Sequence, residues 1–373
     1  MLCRLGHLGL VVAALVSGAS ARPLARAAPV RSPQASPAAS AAAAETKHRP
    51  SATVTAIVAP ARIDARELKA LTGDPVLGKA DRIDGDERKG VVAFTFDDGP
   101  NPETTPQVID ALEKYNVPAT FFIVTQRIAG RHGEGGRELV HREIDAGFIV
   151  GSHSVSHKNL RHAASEQLTR EIDASIKALA AEADRPIGMF RAPYGALNTA
   201  GRARLKKLGL TEAFWSVDTR DWMAHSPSRL RKKVISMIKA DGGGVVLMHD
   251  VKWITAEVIA GVLDDLEAEN CARLASQREP ILPVSIHYFL KDGKTPRAIP
   301  ASVEQRTAAY EAALPERCAK RPPVTTAARP ASRSVAMPTT KPDIQPSSGP
   351  VTRPEAVSAA KPAGKRVNKH ADK

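Results

Sequence analysis

A chain of 373 residues is long enough for two domains, but its composition argues for one domain flanked by tails. Its net charge of +13 sits in those flanks: residues 22–84 carry 10 basic and 6 acidic side chains, residues 291–373 carry 16 and 7, and residues 85–290 carry 26 and 27. The flanks hold no groove-reading element and, apart from Tyr310, no aromatic beside their basic residues, which argues against a nucleic-acid binder.

The N-terminus carries Arg4, an apolar stretch from Leu8 to Val16, and then Ala19-Ser20-Ala21. That order predicts a secretory signal peptide over residues 1–21, cleaved after Ala21. The stretch is short for a bilayer-spanning helix, so the mature chain is expected to have no transmembrane segment; an uncleaved anchor is the other reading. Cys3 lies before the apolar region, not after it as a lipid-modified cysteine would. Residues 22–84 read as an Ala/Pro/Ser-rich spacer and lead-in, because they lack the large apolar side chains that offset ordering entropy.

From about residue 85 to 295, short apolar runs alternate with amphipathic stretches. The expected strands are Val91–Phe96, Ala119–Val124, Phe148–Gly151, Gly188–Arg191, Glu212–Val217, Val245–Met248 and Ile281–Ile286. Helical spacing appears in Val108, Ile109 and Leu112, and again in Leu168, Ile172, Ile176 and Leu179. Gly147 and Gly242 stand where helix C-caps belong, and Arg131–Gly136 reads as a surface loop. The pattern predicts an α/β fold of parallel βαβ units, in a barrel or an open wound sheet of about seven parallel strands. Residues 296–319 are expected as a helical extension and 320–373 as a disordered basic tail. Cys271 and Cys318 remain after signal removal; in an exported chain they form a disulfide or stay as two free thiols.

Polar landmarks follow the strands. Asp97-Asp98-Gly99-Pro100 ends the first, and His153 and His157 follow the third. Arg191, Asp218 with Asp221, and His249 end three others. Each fragment has a bland reading: Asp-Asp-Gly-Pro is a common turn, and histidines four apart occur on surfaces. In a parallel barrel, however, the carboxyl ends of the strands share one face, so these groups are expected to converge. One carboxylate with two imidazoles suits Zn²⁺ or a similar divalent ion, and the second carboxylate suits a general base.

Five segments in order resemble the polysaccharide deacetylases of the NodB homology type. They are Thr95–Pro100, His153–His157, Arg191-Ala192-Pro193-Tyr194-Gly195, Asp218-Thr219-Arg220-Asp221-Trp222 and Leu247-Met248-His249, within roughly residues 88–290. The resemblance implies a distorted (β/α) barrel over residues 85–295 and a divalent metal, Zn²⁺ before Co²⁺, Mn²⁺ or Ni²⁺. By resemblance Asp98, His153 and His157 hold that metal and Asp97 is the general base, oriented by Arg191. His249 is the general acid, kept cationic by Asp221, which is favoured over Asp218 because it directly precedes Trp222. The Tyr194 backbone N–H would stabilise an oxyanion, and Trp222 and Leu247 would wall an acetyl pocket. Ordinary core packing is the alternative for Trp222, and Trp253 could stack on a sugar ring.

The expected activity is hydrolysis of the N-acetyl amide of N-acetylglucosamine units in peptidoglycan, chitin oligomers or an exopolysaccharide. The alternatives are an acetyl-xylan esterase using the same site, a non-catalytic glycan-binding module, and a cytoplasmic enzyme for small cyclic amides. The leader favours the periplasm or the extracellular space. There the basic tail could contact anionic envelope polymers or serve only as a solvated tail.

Overall fold

The computed structural model describes residues 64–321. The expected signal peptide, the spacer up to residue 63 and the basic tail from residue 322 lie outside the described residues. Within them the elements run α1 (Ala65–Ala70), β1 (Val91–Asp97), α2 (Thr105–Lys114), β2 (Ala119–Ile123), α3 (Glu134–Asp145), β3 (Ile149–Ser152), α4 (Ser165–Leu168) and α5 (Ala174–Ala183). They continue with β4 (Met189–Phe190), α6 (Thr199–Leu208), β5 (Thr211–Glu212), β6 (Val217–Asp218), α7 (Pro227–Asp241), β7 (Gly244–His249), α8 (Trp253–Ala275) and β8 (Leu282–Pro283). A small hairpin, β9 (Lys291–Asp292) and β10 (Thr295–Pro296), leads to α9 (Ala301–Lys320). No helix among the described residues is long and apolar enough to cross a membrane.

Seven parallel strands lie in the order β5-β4-β3-β2-β1-β7-β6 and curl into a half-barrel flanked by helices, the expected distorted (β/α) barrel. Strand β8 pairs with the start of β1, Val91 opposite Leu282. Residues 83–85 bridge the 213–214 segment and β7: Phe214 N–H donates to the Ile83 carbonyl at 2.8 Å and Val245 N–H to that of Gly85 at 3.1 Å. Leu71, Leu77 and Ile83 of the lead-in are buried accordingly.

Alternation along the strands divides the core into two shells. Val92, Phe94, Phe96, Phe121, Ile123, Val150, Val246 and Met248 face outward and bury α2, α3, α7 and α8 against the sheet. Ala93, Phe122, Ile149, Met189, Ala213 and Val245 face inward. Gly151 has no side chain for a reason, since a Cβ there would meet the Phe122 ring at 2.7 Å.

Two expectations need correction. Glu212–Val217 is not one strand: β5 and β6 lie at opposite edges of the sheet, and residues 213–216 cross between them. The Ala213 and Phe214 carbonyls accept from the Arg191 guanidinium at 3.2 and 3.0 Å instead of from a neighbouring strand. Nor is Arg131–Gly136 an open loop. It forms a 3₁₀ turn and the start of α3, with Gly133 and Gly136 packed on the backbone of Ile128 and Arg127. Gly147 and Gly242 both carry the left-handed φ of a helix end, +73° and +66°.

Candidate active site

Register brings the strand ends level. Asp97 stands opposite Phe122 on one side and His249 on the other, while Ser152, just before His153, stands opposite Phe190, just before Arg191. Residues 93, 95 and 97 of β1 and 245, 247 and 249 of β7 share the inward face by alternation. The small Ala93 and Thr95 leave room there for a large side chain, and Arg191, just after β4, fills it, fully buried. Its Nη1 donates to Thr95 Oγ1 at 2.7 Å and to Asp97 Oδ1 at 2.8 Å, and its guanidinium lies 4.1 Å over the Phe122 ring. A buried guanidinium is tolerated because these partners and the 213–214 carbonyls occupy its donors. Asp97 is thereby held through Oδ1, leaving Oδ2 toward the cleft.

Beyond the strand the backbone of Asp98 turns left-handed, φ +75°, and aims its carboxylate at the imidazoles of His153 and His157. One ligand atom from each lies within 4.8 Å of the others. His153 Nδ1–H donates to the Arg191 carbonyl at 2.8 Å, a partner that only accepts, so Nε2 presents its lone pair. Asp98 Oδ1 is buried without a hydrogen bond although His157 Nε2 is 3.0 Å away. A buried carboxylate oxygen 3.0 Å from one imidazole nitrogen and 3.5 Å from another fits a divalent cation, and a carboxylate with two imidazoles accepts several such ions. Burial alone would raise the Asp98 carboxyl, but the two imidazoles outweigh it and hold it below the usual range. Burial lowers His153.

His249 ends β7 with its ring braced from behind. Its Nδ1–H donates to Asp221 Oδ1 at 2.7 Å, and its backbone N–H donates to Asp221 Oδ2 at 2.7 Å. Thr255 Oγ1 donates to the same Oδ2 at 2.5 Å. Burial opposes the imidazolium, but the hydrogen bond and charge of Asp221, with Asp97 and Asp98, raise His249 to about 9. Asp218 instead accepts from the Arg220 backbone N–H within its own turn at 3.1 Å.

These groups line a cleft of about 420 Å³, walled by Leu247, Trp215, Trp222, Tyr194 and Lys252. Trp222 is 56 % and Tyr194 66 % exposed, so both form a rim and not core. Tyr194 adopts φ +60° and meets the His157 ring edge-on at 4.7 Å. Of the residues singled out in the sequence, Asp97, Asp98, His153, His157, Tyr194, Asp218, Trp222, Leu247 and His249 border the cleft. Arg191 and Asp221 stand behind it, each braced against a residue that borders it. Trp253, at 60 % exposure, is not among the cleft residues. Sequence reading missed Thr95, Trp215, Lys252 and Thr255. Thr95 could have been found, since it shares the inward face two residues before Asp97; Thr255 sits on the first turn of α8 and carries no local signal.

A profile described as polysaccharide deacetylase matches residues 84–213. The chain is 35 % identical over 179 residues to the peptidoglycan-N-acetylglucosamine deacetylase PgdA of Listeria monocytogenes, covering 48 % of this chain and 36 % of that one. It thus spans about a third of the length of that relative. It is 35 % identical over 176 residues to the chitooligosaccharide deacetylase of Azorhizobium caulinodans, covering 47 % of this chain and 80 % of the relative. The solved peptidoglycan deacetylase PdaC of Bacillus subtilis aligns over 49 % of this chain and 86 % of its own, at 30 % identity and a TM-score of 0.42. With most of the rhizobial enzyme covered at that identity, the chain belongs to the polysaccharide deacetylase family.

Proposed function

We propose that the protein is an exported, metal-dependent hydrolase that removes acetyl groups from N-acetylglucosamine units of an envelope polysaccharide, peptidoglycan before chitin oligomers. The reading rests on one observation. A carboxylate fixed by a buried guanidinium and an imidazole fixed by a buried carboxylate stand side by side on β1 and β7, next to a three-donor cluster at the mouth of the barrel.

Asp98, His153 and His157 would hold the ion, with Zn²⁺ the expected one. When bound it supplies Lewis-acid polarisation of the acetyl carbonyl and a more acidic attacking water. Asp97 Oδ2 takes the proton of that water, since Arg191 occupies Oδ1. His249, whose Nδ1 is committed to Asp221, donates from Nε2 to the departing amine. The Tyr194 backbone N–H is assigned to the developing oxyanion, and Leu247 with Trp222 to the acetyl methyl. The relatives' names point to cell-wall and chitin-derived glycans, and the N-terminal leader pattern supports export.

The test is incubation of the metal-loaded protein with cell-wall glycan, chitin oligomers and acetylated xylan, with lost acetyl groups located by mass spectrometry. Acetate release from the first two is expected. Release from xylan alone would overturn the amide assignment in favour of an esterase. Glycan binding without release in the presence of Zn²⁺ or Co²⁺ would leave a binding module.

A further inference from the structure

Beside the catalytic cleft lies a second pocket of about 380 Å³, walled by the turn that carries Trp222 and by the start of α7. Thr219, Arg220 and Met223 line it from the turn, while Arg229 and Lys233 line it from successive turns of the helix, with His225 between. No acidic side chain lines it. Among the described residues, neither Arg229 nor Lys233 has a carboxylate within ion-pair distance, and Arg220 has only Asp218, at 3.7 Å. Lys233 Nζ donates to the Thr219 carbonyl at 2.7 Å, which pins the ammonium at the pocket and leaves two of its three donors free. The catalytic cleft next door mixes both signs, with Asp97, Asp98 and Asp218 beside Lys252 and His249. Trp222 of the cleft and Met223 of the pocket are consecutive, so a chain of sugars lying over Trp222 would reach both.

Resting on the deacetylase reading above, we infer that this pocket is an anion subsite that takes a carboxylate on the sugar neighbouring the acetylated unit, and so makes acidic glycans the preferred substrate over neutral chitin. The cleft accepts the uncharged acetamide. The cationic pocket draws the charged substituent to one side and fixes the direction in which the glycan lies. Each exposed cation–carboxylate pair contributes a few-fold, so three cations together give a preference of about tenfold.

The experiment compares two oligosaccharides of equal length, one with a free carboxylate beside the N-acetylglucosamine and one with that carboxylate methyl-esterified. Both are measured by acetate release and by calorimetric binding to the metal-free full chain. The acid should bind about tenfold more tightly and give a correspondingly higher kcat/KM through KM, and 0.5 M salt should erase most of the difference, on the order of its screening length. Arg229→Gln with Lys233→Gln should bring both ratios to about one. The single Arg229→Gln, which breaks no side-chain hydrogen bond or ion pair among the described residues, should move them part of the way. Equal affinities for acid and ester, or a ratio unmoved in the variants, would overturn the subsite. If neither glycan loses acetate the hydrolase reading falls, and the binding ratio still decides the pocket.

Discussion

Asp97 and Asp98 are neighbours with the same side chain and opposite surroundings. Asp97 is inward on β1 and bound to a guanidinium; Asp98 has left the strand and faces two imidazoles. Asp97→Asn keeps the shape and leaves the three-donor cluster intact, so it should cut acetate release by about 10²–10⁴ while Zn²⁺ stoichiometry stays at parent level. Metal analysis beside the rate measurement checks this, and an active Asn variant would remove Asp97 as the base. His249 gives a second test. In the metal-free protein its imidazole should titrate near 9 by NMR. Asp221→Asn removes the bond and charge that oppose burial, so the midpoint should fall by about 1 or more, and the alkaline limb of kcat/KM should move the same way. The sign follows from linkage: a raised imidazole stabilises the fold in full below its ordinary value of 6.5 and loses that contribution as pH climbs through about 9. Asp221→Asn should therefore cost more stability at pH 6 than at pH 10, read by denaturant unfolding.

At the scale of elements, the junction after β1 is held by the residue that follows β7. Asp250 is fully buried, accepts from Thr105 Oγ1 at the start of α2, and lies against Gly99, where any Cβ would overlap its carboxyl group. Gly99→Ala should therefore displace the Asp98 backbone and weaken Zn²⁺ binding about 10–100-fold, measured by competition with a chromophoric chelator. Burial raises the Asp250 carboxyl from 3.8 to about 7. The folded state thus binds a proton that the unfolded state has released, and stability falls as pH rises from about 4 to above 7. Asp250→Asn should flatten that slope in denaturant titrations. Little of this junction was legible in the sequence, because Asp250 and Gly99 meet only through the parallel pairing of β1 with β7. The strand ends were legible, since alternation and apolar runs mark where β1, β3 and β7 stop. The 212–217 stretch was not: it reads as β-forming, and only the Arg191 guanidinium, just after β4, shows why its carbonyls are taken.

At the scale of the whole molecule, α9 lies far along the chain from the cleft and is tied to α8 by Cys271–Cys318. The sequence left this pair open between a bridge and two thiols because spacing says nothing about proximity; the Cα atoms lie 5.4 Å apart. The helix also buries Val303, Tyr310 and Leu314, and Arg317 and Arg321 bind Glu267 of α8 at 2.8 and 3.1 Å. Those ion pairs are partly exposed and contribute little each, so the covalent tie and the apolar face carry the attachment. The bridge closes a loop over a sequence separation of 47 residues, which in the chain-entropy account contributes about 2–4 kcal/mol. Cys271→Ser with Cys318→Ser should therefore lower unfolding free energy by about that amount. Acetate release at 25 °C should stay near the parent rate, because every residue assigned to the chemistry lies between β1 and β7. Denaturant titration of the double variant, alongside the reduced parent protein, checks this. A rate that falls together with stability would mean that α9 helps hold the barrel mouth in shape.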